Sequence, residues 1–228
     1  MCGRYQQASS ARKLRETFGV DIREGDAAAL PAGLVLPGQK APVVRRKKDK
    51  TVLDSLLWGF VPHWAQAPRP QKLINARGET LAEKPAFRDA FRARRCLIPA
   101  DGFYEWDARQ TPKAPLDIRL PNAAPFAFAG LWEAWKNPAT GEISESFAIV
   151  TTAATSHMQG CHDRMPVMFT SEKAFQFWLA AETPLTILQK MCAPREEIGL
   201  VLSPAALPAA KAESKTAEKA ETAQGSLF

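Results

Sequence analysis

The chain is poor in the side chains that hold metals. Its 228 residues include three histidines and four cysteines, at positions 2, 96, 161 and 192, with no Cys-x-x-Cys pair. That spacing argues against a structural zinc site, and neither a metal nor an organic cofactor is expected. Cysteines so scattered do not form a disulfide framework, and a reducing compartment is the simplest setting. No apolar run approaches the roughly 20 residues that a membrane span requires. No cationic-then-apolar leader opens the chain. A soluble cytoplasmic protein, with no membrane partner, is therefore expected. Tyrosine is rare, at two, against twelve phenylalanines and six tryptophans, so the aromatic rings belong mainly where rings pack or stack. No internal repeat is visible. The regular alternation of strand and helix that marks a doubly wound sheet is missing too.

A real core is present in its place. Hydrophobic residues make up 46% of the chain and charged residues 24%. The net charge of +6 is a modest basic excess, compatible with a polyanionic partner. Ser9-Ser10 followed by residues 11–18 and Gly19 reads as a capped helix. Residues 41–44 and 51–60 read as strands around a basic turn. Residues 87–95, with Phe87 and Phe91 four apart and four arginines, read as an amphipathic helix with a basic face. Segments 96–99, 116–120, 126–131 and 147–152 read as buried strands. Residues 172–181 and 184–191 read as helices. The expected fold is α+β: a mixed or antiparallel, barrel-like β core with peripheral helices. Residues 1–205 form one globular unit. Residues 206–228 form a tail rich in Ala, Lys, Glu, Ser and Thr, which is expected to be disordered.

Cys2 is the most informative position. If Met1 is trimmed, an α-amine and a thiol sit on adjacent carbons. Near pH 7 roughly one α-amine in six is neutral, against roughly one lysine in a few thousand. A neutral amine attacks an aldehyde to give a Schiff base. A thiol two atoms away closes onto the imine carbon as a five-membered thiazolidine, far more durable than the open imine. A start of Met-Cys also arises by chance, so the chemistry needs company.

Four segments hold the other unusual groups. They are Cys2 to Tyr5, Trp58 to Trp64 with Ile74 to Thr80, Pro99 to Trp106, and Gly160 to Pro166. Glu105, between Tyr104 and Trp106, either faces solvent or shuttles protons beside large rings. His162, flanked by Asp163 and Arg164 and followed by Pro166, belongs to an ordered loop, where catalytic groups often sit. Asn75 either caps a turn or orients the N-terminus. The tryptophans, Trp64 among them, either fill the core or stack on unpaired bases, an interaction worth about 1–3 kcal/mol per base.

Together these segments resemble the SRAP proteins, the SOS-response-associated peptidase family that shields abasic sites. The matching blocks are Met1-Cys2-Gly3-Arg4, Trp58 to Pro62, Ile74 to Thr80, Asp101 to Trp106 and His162 to Pro166, in the family's order, over about residues 1–200. The chain departs at Ala32 to Pro37, where only the proline of an Arg-Tyr-Asn-x-Ala-Pro-like segment survives, and near the C-terminus, where residues 198–202 are expected to replace the family's late strand with its Val-Ser pair. The resemblance implies a mixed α/β fold around a barrel-like core, with a positive groove for single-stranded DNA. It implies Cys2 as crosslinking nucleophile with Asn75, Glu105 and His162 as its partners, and Arg4, Arg77 and Arg164 as phosphate ligands. It further implies covalent capture of abasic sites in single-stranded DNA, with autopeptidase and lyase activities, in a cytoplasmic protein held at the nucleoid when bound. Methionine aminopeptidase is a sufficient route to the mature N-terminus. Two other readings stay open: an N-terminal-cysteine peptidase or amidohydrolase, and a single-stranded DNA-binding module without chemistry. The last five residues resemble the Gln-x-x-Leu-Phe pentapeptide that binds the replication sliding clamp, with Leu227 and Phe228 as anchors and Gln224 as the polar contact.

Overall fold

The computed structural model of the chain describes residues 2–20, 22, 33–48, 50–68 and 72–206. Met1 and residues 207–228, with Gln224, Leu227 and Phe228, lie outside the described residues, and so does the expectation of a disordered tail.

The first helix, α1 (Ala11–Phe18), forms as its punctuation dictates. The Ser10 side chain accepts from the Lys13 N–H, Gly19 closes the other end at φ 60°, and Leu14 and Phe18 bury one stripe. Asp101 accepts from the backbone N–H groups of Ala8 and Ser9 and from the Ser9 hydroxyl, which ties the helix entry to the body of the fold.

Five strands close into a barrel. The members are β3 (Lys40–Lys47), β4 (Lys50–Trp58), β6 (Arg95–Ala100), β9 (Phe126–Lys136) and β10 (Ile143–Ala153). Strand β10 pairs with β4 in parallel. The ring continues antiparallel through β3, β6 and β9 and returns to β10. Side chains alternate between its two faces. Ala41, Val43, Cys96, Ile98, Phe128, Phe147 and Ile149 share the inner cluster, while Val44, Leu97, Ala129, Leu131, Ala148 and Val150 join the outer one. The outer face is covered by α1, by α2 (Arg88–Ala93), by α3 (Glu172–Leu179) and by α4 (Leu185–Met191), through Leu14, Phe91, Trp178 and Leu188. Arg45 shares the inner parity. It is fully buried, pairs with Asp54 and Glu145, and stacks over Trp132 at 4.1 Å.

A second sheet runs in the order β13 (Val201–Pro204), β8 (Ala114–Arg119), β7 (Gly102–Asp107), β1 (Tyr5–Gln7), β2 (Gly33–Val35). Tyr5, Val35, Phe103, Leu116 and Ile118 of this sheet join the inner cluster. The Tyr5 ring meets Trp58 and Phe128 edge-on, at 5.2 and 5.6 Å between centroids, contacts worth about 0.5–1.5 kcal/mol each beyond burial. That packing fixes the chain only three residues after Cys2.

The α+β, barrel-centred expectation holds, with adjusted boundaries. The strand expected through Phe60 stops at Trp58, because the Gly59 N–H turns to the carbonyl of Phe147 and the Phe60 N–H to that of Leu73. The helix expected over 87–95 is shorter, since Arg95 already begins β6. The late strand is Val201–Pro204. Ile198 and Gly199 are drawn into a turn by bonds to the carbonyls of Arg195 and Glu197.

Candidate active site

Cys2 is completely buried and belongs to the inner cluster. Its thiol donates to the carbonyl of Arg4 at 3.6 Å. Burial pushes the thiol far above its usual range, and the Glu105 carboxylate adds to the rise. Cys2 therefore carries its proton throughout the neutral range.

Asn75 opens β5 (Asn75–Arg77), which runs parallel to β10 with Asn75 opposite Ile149. Its Nδ2 donates to the carbonyl of Cys2 at 2.9 Å. Its Oδ1 is buried and has no donor among the described residues. Glu105 lies in β7, beside β1, and is 5% exposed. Three segments some thirty or more residues apart thus converge on one residue.

His162 is reached by a different route. It lies in the loop before β11 (Arg164–Pro166). The adjacent Cys161 thiol is buried, raised by that burial, and also feels the charge of Glu105. The loop lies beside the end of β7, since Ala108 lines the same cavity and Arg109 packs against Gly160. Cys161 and His162 line an open cavity of about 460 Å³ with Thr155, Gln159 and Ala108. Arg109 fills the space a Cβ at Gly160 would need, 2.6 Å from its Cδ. Arg109 is held there by Asp107, whose carboxyl its guanidinium keeps well below the usual range.

The His162 ring has two partners at one nitrogen. Nδ1 accepts from the Arg164 backbone N–H at 3.0 Å and lies 2.6 Å from Asp163 Oδ1. The amide is fixed by the β10–β11 ladder, whereas the Asp163 carboxylate is 84% exposed and free to turn. A neutral ring therefore accepts at Nδ1 and carries its proton on Nε2. A protonated ring is served by Asp163. Either way Nε2 presents a donor.

The expected phosphate ligands fare differently from one another. Arg77 is exposed and adjoins Thr151 in register. The Arg4 guanidinium lies 4.9 Å over the Trp106 ring. Arg164 donates bidentately to Glu79, at 2.8 and 2.9 Å, and to Thr151. Trp64 is 55% exposed but is not brought to the site. Its loop is pinned to β9, by His63 to Glu133 and by the Trp135 indole to the carbonyl of Ala65. Glu133 and Trp135 pair with Ser146 and Ser144, down the barrel from Ile149.

Trp106 and Glu79 were missed as site residues, although both lie inside matched motifs. The available signal was adjacency: Trp106 follows Glu105, and Glu79 is two residues past Arg77. Among the described residues no group of three or more His, Cys, Asp or Glu is placed to hold a metal ion. No helix there is long and apolar enough to cross a membrane.

Comparison with known proteins adds an independent line. The family model described as SOS response associated peptidase (SRAP) matches residues 1–206. The chain is 38% identical over 197 residues to the abasic site processing protein YoqW of Bacillus subtilis strain 168, covering 85% of this chain and 87% of that protein. It is 30% identical over 185 residues to the abasic site processing protein YedK of Escherichia coli K12, covering 80% and 81%. A solved protein of Bacteroides thetaiotaomicron shares the fold at a TM-score of 0.79 and 24% identity, covering 89% of this chain and 91% of that one.

Proposed function

The chain belongs to the SOS response associated peptidase family, and on that premise we propose that it captures abasic sites in single-stranded DNA through a thiazolidine at Cys2. The observation that carries this reading is the convergence of Asn75 and Glu105 on a buried Cys2. The relatives' names as abasic site processing proteins point to the same substrate.

Removal of Met1, by methionine aminopeptidase or by autoproteolysis, frees the α-amine of Cys2. A ring-opened abasic sugar presents an aldehyde at C1′. The amine nitrogen bonds to C1′, and the aldehyde oxygen becomes a hydroxyl. Glu105 delivers the proton with which that hydroxyl leaves as water, giving the imine. The thiol sulfur then adds to C1′, and its proton passes by way of Glu105 to the nitrogen. The net change is loss of one water, with no redox step. Asn75 holds Cys2 by its carbonyl, and its vacant Oδ1 accepts from the incoming hydroxyl or the amine. The Nε2–H of His162 donates to O4′ as the sugar opens. If the thiol fails to close, the imine drains into β-elimination, which is the lyase outcome. The protonated state of Cys2 favours amine-first chemistry over thiolate attack on an amide.

Arg4, Arg77 and Arg164 would hold backbone phosphates, with Trp64 a stacking surface further along the strand. The final pentapeptide would recruit the protein to the sliding clamp, and the action would take place at the cytoplasmic nucleoid.

The deciding experiment mixes mature protein with an abasic single-stranded oligonucleotide and resolves it on a denaturing gel. Wild type gives a shifted band and Cys2→Ala does not. A durable adduct from Cys2→Ala, or from protein with a blocked N-terminus, would overturn the mechanism.

A further inference from the structure

Arg164 does not face solvent with an open fork. Its side chain is 13% exposed, whereas that of Glu79, which grips it, is 49% exposed. Both carboxylate oxygens are engaged, one on each terminal nitrogen. An anion arriving from solvent meets Glu79 before it meets Arg164.

Glu79 is held in that place by the backbone. Gly78 is buried, and a Cβ there would lie 2.8 Å from Cys192 Cβ and 3.2 Å from the Thr151 carbonyl oxygen. The turn over Gly78–Thr80 is thus pressed against β10, and the residue after Gly78 projects toward Arg164. Arg164 in turn has a second support, since Nη2 also donates to the carbonyl and hydroxyl of Thr151. Losing the carboxylate would not release the guanidinium. The exposed Arg77 stands on the other side of the same Thr151. The three charges sum to +1 with Glu79 in place.

A carboxylate and a phosphodiester offer a guanidinium the same two-oxygen edge. We propose that Glu79 is a resident competitor for DNA: it fills the fork of Arg164 in the free protein, and a backbone phosphate of the bound strand displaces it. This rests on the reading of Arg164 as a phosphate ligand. The displaced carboxylate turns to Arg77 or to water, while Thr151 keeps Arg164 in orientation. A strand that places a phosphate there therefore breaks one ion pair to make another, which lowers the net gain from that contact. The Arg164 guanidinium also holds the Glu79 carboxyl below its usual range, so the competitor stays charged at neutral pH.

The test measures fluorescence anisotropy of an undamaged single-stranded oligonucleotide with wild type, Glu79→Gln, Arg164→Ala and the double variant, each checked for an unchanged melting temperature. Glu79→Gln tightens binding by about three- to tenfold, the scale of removing one opposed ion pair. Arg164→Ala weakens it, and in that background Glu79→Gln has no further effect. Weaker binding by Glu79→Gln would show that Glu79 serves Arg164 rather than competing for it. An equal gain in both backgrounds would reduce Glu79 to a general repulsive charge. Either result overturns the proposal. A wild type that binds no strand would overturn the phosphate-ligand reading beneath it as well.

Discussion

The side-chain amide of Asn75 donates to the backbone carbonyl of Cys2 across 2.9 Å, joining residues 73 positions apart. The bond engages the carbonyl of Cys2 rather than its nitrogen or sulfur and fixes the plane of the peptide that follows them. Orientation of this kind supplies a large share of a rate when a reacting group is otherwise free to swing.

Asn75→Ala is therefore expected to slow crosslinking at saturating DNA by roughly 10- to 100-fold, with little change in strand affinity. Asn75→Asp should not rescue it, since a carboxylate sets its oxygen against the Cys2 carbonyl. Single-turnover rates on denaturing gels check this. A saturated rate within twofold of wild type for Asn75→Ala would remove Asn75 from the chemistry.

Glu105 and Arg77 should separate rate from binding. Glu105→Gln is expected to lower the rate at saturation and leave affinity in place. Arg77→Ala, at an exposed cation, weakens binding and flattens its salt dependence by about one unit of slope. Equal binding losses for both variants, with unchanged saturated rates, would contradict the assigned roles.

The thiols make a prediction about alkali. All four cysteines are free and buried, and burial raises each of them, Cys192 to about 12. In the unfolded chain they titrate near the ordinary thiol value of 9.0. A thiol raised on folding stabilises the native state fully below the unfolded value, and that contribution is lost as the pH rises beyond it. Melting temperature should stay flat to about pH 9 and fall above it. At pH 8 Ellman's reagent should label essentially none of the thiols in native protein and all four after unfolding in guanidinium. Fast native labelling of Cys2 would show its thiolate to be accessible.

The barrel interior has no room at Gly130. A Cβ there would sit 2.1 Å from Ile98 Cδ1 and 2.9 Å from Cys96 Sγ. Gly130→Ala should destabilise the fold by about 1–3 kcal/mol, as overpacked cores do. Ile98→Val removes the offending methyl, so the double variant should regain part of the loss. Purely additive destabilisation in urea melts would show that the clash lies elsewhere.

The C-terminal pentapeptide is testable apart from the domain. A labelled peptide covering residues 214–228 should bind a bacterial sliding clamp, and replacing Leu227 and Phe228 by alanine should abolish binding. No anisotropy change at about 100 μM clamp, or equal binding by the alanine peptide, would reject the recruitment role.

Local signals in the sequence carried well wherever the physics was local. Ser10 and Gly19 delimit α1 because a hydroxyl and a left-handed glycine act within one turn. Apolar runs located β6, β9 and β10 because strands buried on both faces need continuous apolar residues, whereas β8 alternates buried with half-buried positions. The short strands β1, β2, β5, β11 and β12 (Met168–Phe169) escaped notice. At two or three residues they carry no periodicity, and their partners make them strands.

The same division runs through the site. The sequence by itself determined the ingredients of the proposed chemistry: an amine and a thiol on one residue, with Asn75, Glu105 and His162 in separate motifs of recognisable pattern. It also set the alternation that sorts inner from outer side chains, since that follows from a two-residue period. Only the tertiary structure decided that β9 returns to β10 and closes the ring. It alone decided that Arg45 points inward to Asp54 and Glu145, that Trp64 is pinned down the barrel flank, and that Arg164 gives its fork to Glu79. In each case the partner lies on another element, chosen by strand register and by the cost of leaving a buried charge unpaired, and no local pattern encodes either one.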